Sequence, residues 1–287
     1  MKNKWLFLFL LGCSFLQGAE ENKPYVIGEL YGQLGNNLFQ VATASAVAWD
    51  NNAVPYFPGL CLVPKLYQHI FSRCQSEPPP RPATFTWQEP GIPYTQVPFQ
   101  KDMKMTGYFQ SEKYFAHHRK RLLELFQPIT RDLKYIQKKY GSIVDHPRTV
   151  GIQIRHYFED PNGEIYIQYG KDYLEKAMAC FQEPVLFIVS SNNVAFARQN
   201  IPSGKNVIFL ENEPHYIDFY LLSMCKHIII TNSTFGWWAA WLNQNPEKIV
   251  IRPKKWLNGG YPDQGICPDG WVSLDAKKGC YKDLTSY

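Results

Sequence analysis

The stretch TNSTFGWWAAWL, residues 231–242, decides the fold of this 287-residue chain. A β-branched run at residues 228–230 precedes it and predicts a buried strand, and apolar residues at helical spacing follow it. Open α/β sheets bind ligands at such turns, because the N–H groups of a helix N-terminus face an anion there. The candidate binding residues of the turn are Asn232, Ser233, Thr234 and Phe235. A capped core helix with packed tryptophans would show the same pattern.

The second half of the chain alternates between predicted strands and helices. This rhythm predicts a parallel sheet that is covered on both faces, with a site beyond the carboxyl ends of its strands. The strands are expected at 149–154, 185–189, 207–210, 228–230 and 248–251, and the helices at 171–181, 194–199 and 217–225.

Two further polar turns follow strands of this predicted sheet. Arg155 and His156 follow the first strand, and Ser191 and Asn192 follow the second. Arg155 is the sharpest candidate, because a guanidinium at a strand end can hold a pyrophosphate through two hydrogen bonds and neutralise a leaving phosphate. An exposed arginine in a surface ion pair is the alternative.

The first half of the chain opens with a predicted strand at residues 25–27, a glycine-rich turn at 28–37 and an alanine-rich helix at 38–49. Glycines let backbone N–H groups approach a phosphate or a sugar without an obstructing Cβ atom. A tight turn without a ligand is the alternative, because the glycine spacing differs from the dinucleotide-binding fingerprint. Residues 51–97 are rich in proline and predict a long surface insertion.

A linker at residues 145–147 divides the chain into two predicted domains. The first is an α/β domain over 24–146 that contains the insertion, and the second is an α/β domain over 149–287 that ends in a tail. A hydrophobic content of 45 % supports a large core. The net charge of +5 comes from scattered basic residues, which argues against nucleic-acid binding and leaves room for an anionic small molecule.

Residues 1–20 predict a signal peptide or a short membrane anchor. Lys2 and Lys4 precede a short apolar run, which is well below the roughly 20 residues that a membrane-spanning helix needs. Cys13 lies in a segment that also resembles a bacterial lipoprotein box, which would attach the chain to a membrane.

Six cysteines follow Cys13, and an even number in an exported chain permits three disulfides. The pairs expected from their loop-like surroundings are Cys61–Cys74 and Cys267–Cys280. Cys180 and Cys225 lie in apolar surroundings and are expected as buried thiols. The sequence shows no cysteine and histidine spacing that is typical of a zinc site, so no metal is expected.

Four blocks of the chain resemble the α1,2-fucosyltransferase family, and they occur in the order of that family. GQLGNNLFQ at residues 32–40 is similar to its opening block, and GYFQSEKYF at 107–115 is similar to its middle block. DFYLLSMCKHIIITNSTFGWWAAWL at 218–242 is similar to its most diagnostic segment, and PKKW at 253–256 to the block after it. An ordered match over most of the chain is more specific than any single motif.

The resemblance implies a GT-B-like fold of two facing Rossmann-like α/β domains, with the donor on the C-terminal domain and the acceptor on the N-terminal one. It implies inverting transfer of L-fucose from GDP-fucose to a galactose-terminated glycan, without a metal. The sequence agrees in having no Asp-x-Asp pair to hold a divalent ion. The residues implied to bind the donor are Gln33, Gly35, Asn36, Arg155, Ser191, Asn192, Asp218, Asn232, Ser233, Thr234 and Phe235, and those expected to be catalytic are Arg155 and His156.

The chain departs from the family's His-x-Arg-x-Gly-Asp motif around Arg155. Gln153 stands in place of the histidine, residues 157–158 in place of Gly-Asp, and residues 191–193 in place of a Ser-Asp-Asp. The phosphate-binding arginine is kept while charges that orient the donor or act in acid–base chemistry are lost. The candidates for the general base are His156, Glu159 and Asp160. A catalytically weakened nucleotide-sugar-binding or glycan-binding module is the alternative function, and a secreted disulfide-bonded structural protein is a third.

The predicted N-terminus limits where such a reaction would occur. GDP-fucose is made in the cytosol, so an active enzyme behind a signal peptide is expected in a secretory lumen of the Golgi type. The alternative is membrane association through residues 1–20, with the body of the protein in the cytosol.

Overall fold

The computed structural model describes residues 23–182, 184–275 and 279–280. The predicted signal peptide or anchor at residues 1–20 lies outside the described residues, as does the end of the C-terminal tail. Within the described part of the chain, none of the helices is both long and apolar enough to cross a membrane.

The first half of the chain builds a parallel sheet in the order β2-β1-β4-β3. Its strands are β1 (Tyr25–Gly28), β2 (Val54–Tyr56), β3 (Phe85–Gln88) and β4 (Met103–Thr106). Its helices are α1 (Leu34–Asp50), α2 (Arg119–Leu125) and α3 (Thr130–Val144). The central strands carry fully buried side chains such as Val26 and Met105, and α1 packs its small apolar residues against β1.

The second half builds a larger sheet in the order β11-β10-β9-β8-β5-β6-β7, in which only the β10–β11 pair is antiparallel. The strands are β5 (Thr149–Ile154), β6 (Leu186–Ser191), β7 (Val207–Phe209), β8 (His227–Ile230), β9 (Val250–Pro253), β10 (Val272–Asp275) and β11 (Gly279–Cys280). The helices are α4 (Lys171–Ala179), α5 (Val194–Asn200), α6 (His215–Met224) and α7 (Thr234–Leu242). The predicted parallel α/β sheet is confirmed.

Helix α7 joins the two halves of the molecule. Trp237 and Trp238 are fully buried, and their rings lie 4.5 and 5.1 Å from the ring of Phe39 in α1. Large aromatic side chains dominate core energetics, so this cluster fixes the two helices against each other. The tryptophans therefore pack as a core helix requires, while the N-terminus of the same helix remains available to a site.

Parts of the proline-rich segment 51–97 are regular, although its composition predicts an irregular surface insertion. It contributes β2 and β3, the two edge strands of the N-terminal sheet. Both strands are short, and Pro55 sits within β2, where an edge position tolerates a residue that cannot donate to the sheet. Short strands interrupted by proline give little periodicity, which is why the sequence pattern missed them.

The expected Cys61–Cys74 disulfide is wrong, because both residues are free thiols. Cys61 is exposed and its thiol donates to the carbonyl of Pro58 at 3.0 Å, whereas Cys74 packs against the core. Cys267 is also free, and the side chain of its expected partner Cys280 lies outside the described residues. Cys225 is buried as expected, and burial raises its pKa to about 12, whereas Cys180 is only half-buried.

Candidate active site

A cleft of about 630 Å³ lies where the two sheets face each other. The carboxyl ends of β4, β5, β6 and β8 reach it, as expected for ligand sites of parallel sheets. All residues expected to bind the donor line this cleft, namely Gln33, Gly35, Asn36, Arg155, Ser191, Asn192, Asp218, Asn232, Ser233, Thr234 and Phe235.

Two helix N-termini meet in this cleft. Helix α1 begins after Gln33, and helix α7 begins after Ser233. A Cβ atom on Gly35 would lie 2.4 Å from Oγ1 of Thr234 and 2.6 Å from the backbone N of Phe235, so only glycine permits this approach. The first N–H groups of a helix have no partners within the helix and carry partial positive charge. Their convergence forms a site suited to an anion.

Arg155 adds a full positive charge to the same site. It directly follows β5, and its backbone N–H donates to Oγ1 of Thr231 at 3.1 Å. Its guanidinium pairs with the carboxylate of Glu159 and lies 5.4 Å from the centre of the Tyr157 ring. These contacts hold the cation at the cleft wall with 27 % of its side chain exposed. The ion pair considered from the sequence therefore exists, but it borders the cleft.

Asp218 and Asn232 present buried acceptors to the cleft. Oδ2 of Asp218 accepts a hydrogen bond from the Ser190 hydroxyl at 2.8 Å, and burial raises the pKa of this carboxyl to about 6. Its Oδ1, and Oδ1 of Asn232, are buried without a hydrogen-bond partner among the described residues. A buried acceptor without a partner is costly, so ligand donors at these two atoms are expected.

His156 lies outside the lining of the cleft. Its ring stacks on Phe196 at 4.5 Å, and its Nδ1 lies 3.0 Å from the side-chain amide of Asn193. Its backbone N–H and C=O both pair with the Asn192 amide at 2.8 Å. These contacts give His156 a part in fixing the turn after β5, and they direct its ring away from the cleft.

The other two candidate bases are also occupied. Hydrogen bonds from its own backbone and from Arg155 outweigh the effect of burial on Glu159, so its pKa lies below the ordinary value. The carboxylate of Asp160 accepts the backbone N–H groups of residues 164–166, which lower its pKa and tie down a loop. Glu159 lines the cleft, but its pairing with Arg155 and its lowered pKa make it a weak base, and Asp160 lies outside the lining.

Glu89 is a charged cleft residue that the sequence analysis missed. It follows edge strand β3, and its Oε2 accepts the backbone N–H groups of Tyr108 and Phe109, both at 2.8 Å. Its Oε1 accepts the Tyr114 hydroxyl at 3.1 Å, and burial raises its pKa. A Cβ atom on Gly107 would lie 2.4 Å from the Cβ of Glu89, so this close approach requires glycine. The glycine of the middle block is therefore the sequence feature that could have indicated Glu89.

Tyrosine rings supply the apolar part of the lining. Tyr157 and Tyr166 stack with ring centres 4.4 Å apart, and Tyr31 meets Tyr108 edge-on at 4.9 Å. Such rings offer flat apolar faces with a polar hydroxyl, a combination suited to a sugar. Isolated tyrosines carry no sequence signal for this role.

The family-like opening block divides into lining and supporting residues. Asn37 and Gln40 are fully buried, and both side chains bond to the backbone of Tyr31. Gln40 also donates to the carbonyl of Gly107 at 3.2 Å. They connect the glycine-rich turn to the middle block and thereby set the shape of the N-terminal wall.

A cleft between two facing α/β sheets, with a cation and two helix N-termini on its walls, defines a GT-B-like glycosyltransferase fold. The model of the family described as glycosyl transferase family 11 matches residues 83–275. The chain belongs to this family, which confirms the resemblance found in its motifs.

Relatives of this chain are named as glycosyltransferases. It is 34 % identical over 183 residues to the O-antigen biosynthesis glycosyltransferase WbnK of Escherichia coli, covering 58 % of this chain and 59 % of WbnK. It is 28 % identical to an alpha-1,2-colitosyltransferase of the same organism, covering 60 % and 63 %. It is also 28 % identical to the rabbit galactoside alpha-(1,2)-fucosyltransferase 2, covering 86 % and 76 %. The matches to the two bacterial relatives span less than two thirds of their lengths.

Solved structures show the same fold. The NodZ alpha-1,6-fucosyltransferase soaked with GDP-fucose aligns with a TM-score of 0.54 at 14 % identity, covering 80 % of this chain and 95 % of NodZ. The NodZ crystal grown with GDP aligns with a TM-score of 0.51. At this identity the likeness establishes the GT-B-like arrangement and nothing finer.

Proposed function

We propose that this protein transfers L-fucose from GDP-fucose to a galactose hydroxyl of a glycan, in α1,2 linkage and with inversion. The observation that carries the proposal is the convergence of Arg155 and the N-termini of α1 and α7 on one cleft. The names of the rabbit fucosyltransferase and the bacterial colitosyltransferase support the α1,2 linkage, and the rabbit enzyme supports a galactoside acceptor.

The diphosphate of the donor would lie between Arg155 and the first turns of the two helices. A guanidinium can hold two phosphate oxygens at once, and helix N–H groups stabilise the charge that develops on the leaving GDP. This set of donors supplies the neutralisation without a metal at the reacting diphosphate. Ser233 and Thr234 add hydroxyl groups at the same helix end.

The guanine base would occupy the part of the cleft next to Asp218. Guanine carries two adjacent N–H donors on one edge, and a carboxylate can accept both. Oδ1 of Asp218 is a buried acceptor without a partner in the described part of the chain, and Ser190 holds the other oxygen in place. Pairing with guanine would remove the cost of leaving Oδ1 unbonded.

Glu89 is the carboxylate best placed to act as the general base. It lines the N-terminal wall of the cleft, whereas Arg155 lines the C-terminal wall, and burial raises the pKa of Glu89 toward the range in which a base is effective. In the reaction, the acceptor hydroxyl gives its proton to Glu89 while its oxygen bonds to C1 of fucose. The bond between C1 and the phosphate oxygen breaks, and GDP leaves with that electron pair.

The test is a measurement of GDP release from GDP-fucose with and without β-galactoside acceptors. The wild type should turn over only with an acceptor present. Arg155→Ala should lose at least about two orders of magnitude in kcat/KM, roughly 3 kcal/mol of transition-state stabilisation. The matched control is Arg198→Ala, which breaks an exposed ion pair with Glu211 at 3.0 Å and should keep full activity.

The possible outcomes separate the proposals. Equal rates in the wild type and Arg155→Ala would contradict the role of Arg155. Calorimetric binding of GDP without turnover on a broad acceptor panel would favour a binding module. Preference for a GDP-colitose donor would keep the reaction class but replace the sugar, as the name of the colitosyltransferase relative suggests.

A further inference from the structure

Three side chains far from the cleft converge as metal ligands would. Nε2 of His117 lies 2.9 Å from Oδ2 of Asp50, and Nε2 of His118 lies 2.7 Å from Oδ1 of the same carboxylate. The ligand atoms of the three residues all lie within 4.8 Å of one another. Two neighbouring histidines thus turn the same ring nitrogen toward one carboxylate.

The backbone holds these ligands on ordered elements. Asp50 is the last residue of α1, and the histidines close the short 3-10 turn Ala116–His118, which directly follows the buried Phe115. The ring of His118 also packs edge-on against Trp49 at 5.2 Å. Ligands fixed in this way lose little conformational freedom when they bind an ion.

The set of donors is selective. Two imidazole nitrogens and one carboxylate oxygen match Zn²⁺ and its neighbours Co²⁺, Ni²⁺ and Cu²⁺. Mg²⁺ and Ca²⁺ prefer oxygen ligands and are poorly matched. The side chains of His117 and Asp50 are 50 % and 43 % exposed, which leaves an open side for a fourth ligand such as water.

The electrostatic setting also favours a cation. The C-terminus of α1 carries the negative end of the helix dipole, and Asp50 adds a full negative charge at that end. The negative end of the helix dipole and the carboxylate of Asp50 repel each other. The imidazoles reduce this repulsion through hydrogen bonds, and a bound dication would relieve it.

We propose that Asp50, His117 and His118 form a binding site for a divalent transition metal, with Zn²⁺ as the physiological class. The ion would tie the C-terminus of α1 to the segment after the middle block. Helix α1 has 17 residues, so the site lies roughly 25 Å from the diphosphate-binding end of the same helix. The metal therefore supports the N-terminal half and takes no part in the transfer. The sequence analysis missed it because Asp50 is separated by 67 positions from His117.

The test is a titration of the tag-free full chain with Zn²⁺ by isothermal calorimetry, and with Co²⁺ by visible absorption. All proteins carry Cys61→Ser, because Cys61 is an exposed thiol that could bind zinc itself. We expect one ion per chain and a melting temperature that rises with Zn²⁺. Asp50→Asn keeps an oxygen that can accept hydrogen bonds from the histidines. It should nevertheless weaken Zn²⁺ binding at least about tenfold, because that is the smallest loss expected even for a residue that only hydrogen-bonds to a metal ligand.

His118→Ala should weaken Zn²⁺ binding similarly, whereas His146→Ala, which removes a histidine elsewhere, should leave the affinity unchanged. Absence of saturable binding would overturn the proposal, as would an affinity that is the same in Asp50→Asn and in the parent protein. The result is independent of the proposed fucosyl transfer, because it is read from binding and melting and not from turnover.

Discussion

The two walls of the cleft are built in different ways. The C-terminal wall consists of the ends of β5, β6 and β8, neighbouring parallel strands whose register places their last residues side by side. The N-terminal wall is assembled from the start of α1, Glu89 after an edge strand and the turn at 107–110. Side chains such as Gln40 join these pieces across 67 positions of the chain. Regular strands fix one wall, and long-range hydrogen bonds fix the other.

This difference suggests a division of labour between the walls. A regular sheet edge suits a ligand that stays the same, such as a nucleotide, because its groups are positioned by the core. A wall made of connected loops can change with few consequences for the core, which would suit binding of the proposed acceptor. The predictions below test how far the two walls are separate.

The largest expected effect comes from the element that both walls share. Trp237→Ala should reduce the free energy of unfolding by about 3–5 kcal/mol, because it leaves a cavity between α7 and Phe39 and an unpaired carbonyl at Ile266. Urea denaturation followed by circular dichroism measures the loss. The whole protein should unfold in one transition, since one hydrophobic cluster contains residues of both halves.

Leu62→Ala is the control for Trp237→Ala, because Leu62 is 86 % exposed and should leave stability nearly unchanged. Two separate transitions, with only one of them shifted by Trp237→Ala, would show that the walls unfold independently.

The next largest expected effect tests whether the two walls have different functions. Glu89→Gln should lower kcat by about 10²–10⁴-fold if the carboxylate takes the acceptor proton, while the affinity for GDP stays unchanged. Glutamine can still accept the N–H groups of Tyr108 and Phe109 at one oxygen, so the turn should keep its shape. Steady-state kinetics and GDP calorimetry on the same preparations measure both quantities. Weaker GDP binding with unchanged kcat would place Glu89 on the donor side.

The sequence predicted the C-terminal wall well for a physical reason. Buried parallel strands are continuous apolar runs, so β5 was predicted over its full length at 149–154, and the polar turns after β5, β6 and β8 fell at the site. The family-like motifs added the opening turn of the N-terminal half, with Gln33 and Gly35 on the cleft.

The N-terminal wall was harder to predict because its strands are short and its contacts are distant in sequence. Edge strands β2 and β3 lie in the proline-rich segment 51–97, whose composition indicates a loop. Glu89 gains its position through the backbone of residues 108–109 and the Tyr114 hydroxyl, about twenty or more positions later. Tyrosine rings and the Asp50–His117–His118 cluster likewise depend on tertiary contacts that no local pattern encodes.

The smallest expected effect is the pH dependence of GDP-fucose binding, which tests the role of the C-terminal wall. The pKa of Asp218 is raised to about 6 by burial, and only the ionised carboxylate accepts both guanine N–H groups. The affinity for GDP-fucose should therefore be constant above about pH 7 and fall below pH 6 by up to tenfold per pH unit, about 1.4 kcal/mol. GDP-fucose is the ligand to use, because the terminal phosphate of free GDP titrates in the same range.

The pH dependence of GDP-fucose affinity has the opposite sign to the pH dependence of folding stability that Asp218 causes. The folded protein holds the Asp218 proton more tightly than the unfolded chain does, so this group makes stability fall as the pH rises from about 4 to 6. Binding of GDP-fucose should rise over the same interval, so the two measurements move in opposite directions.

Asp218→Asn should bind more weakly and without this pH dependence. His215→Gln, which removes a histidine that also lines the cleft, should keep the pH dependence of GDP-fucose binding. A fall in affinity that disappears in His215→Gln and persists in Asp218→Asn would assign the titration to the histidine and remove Asp218 from guanine recognition.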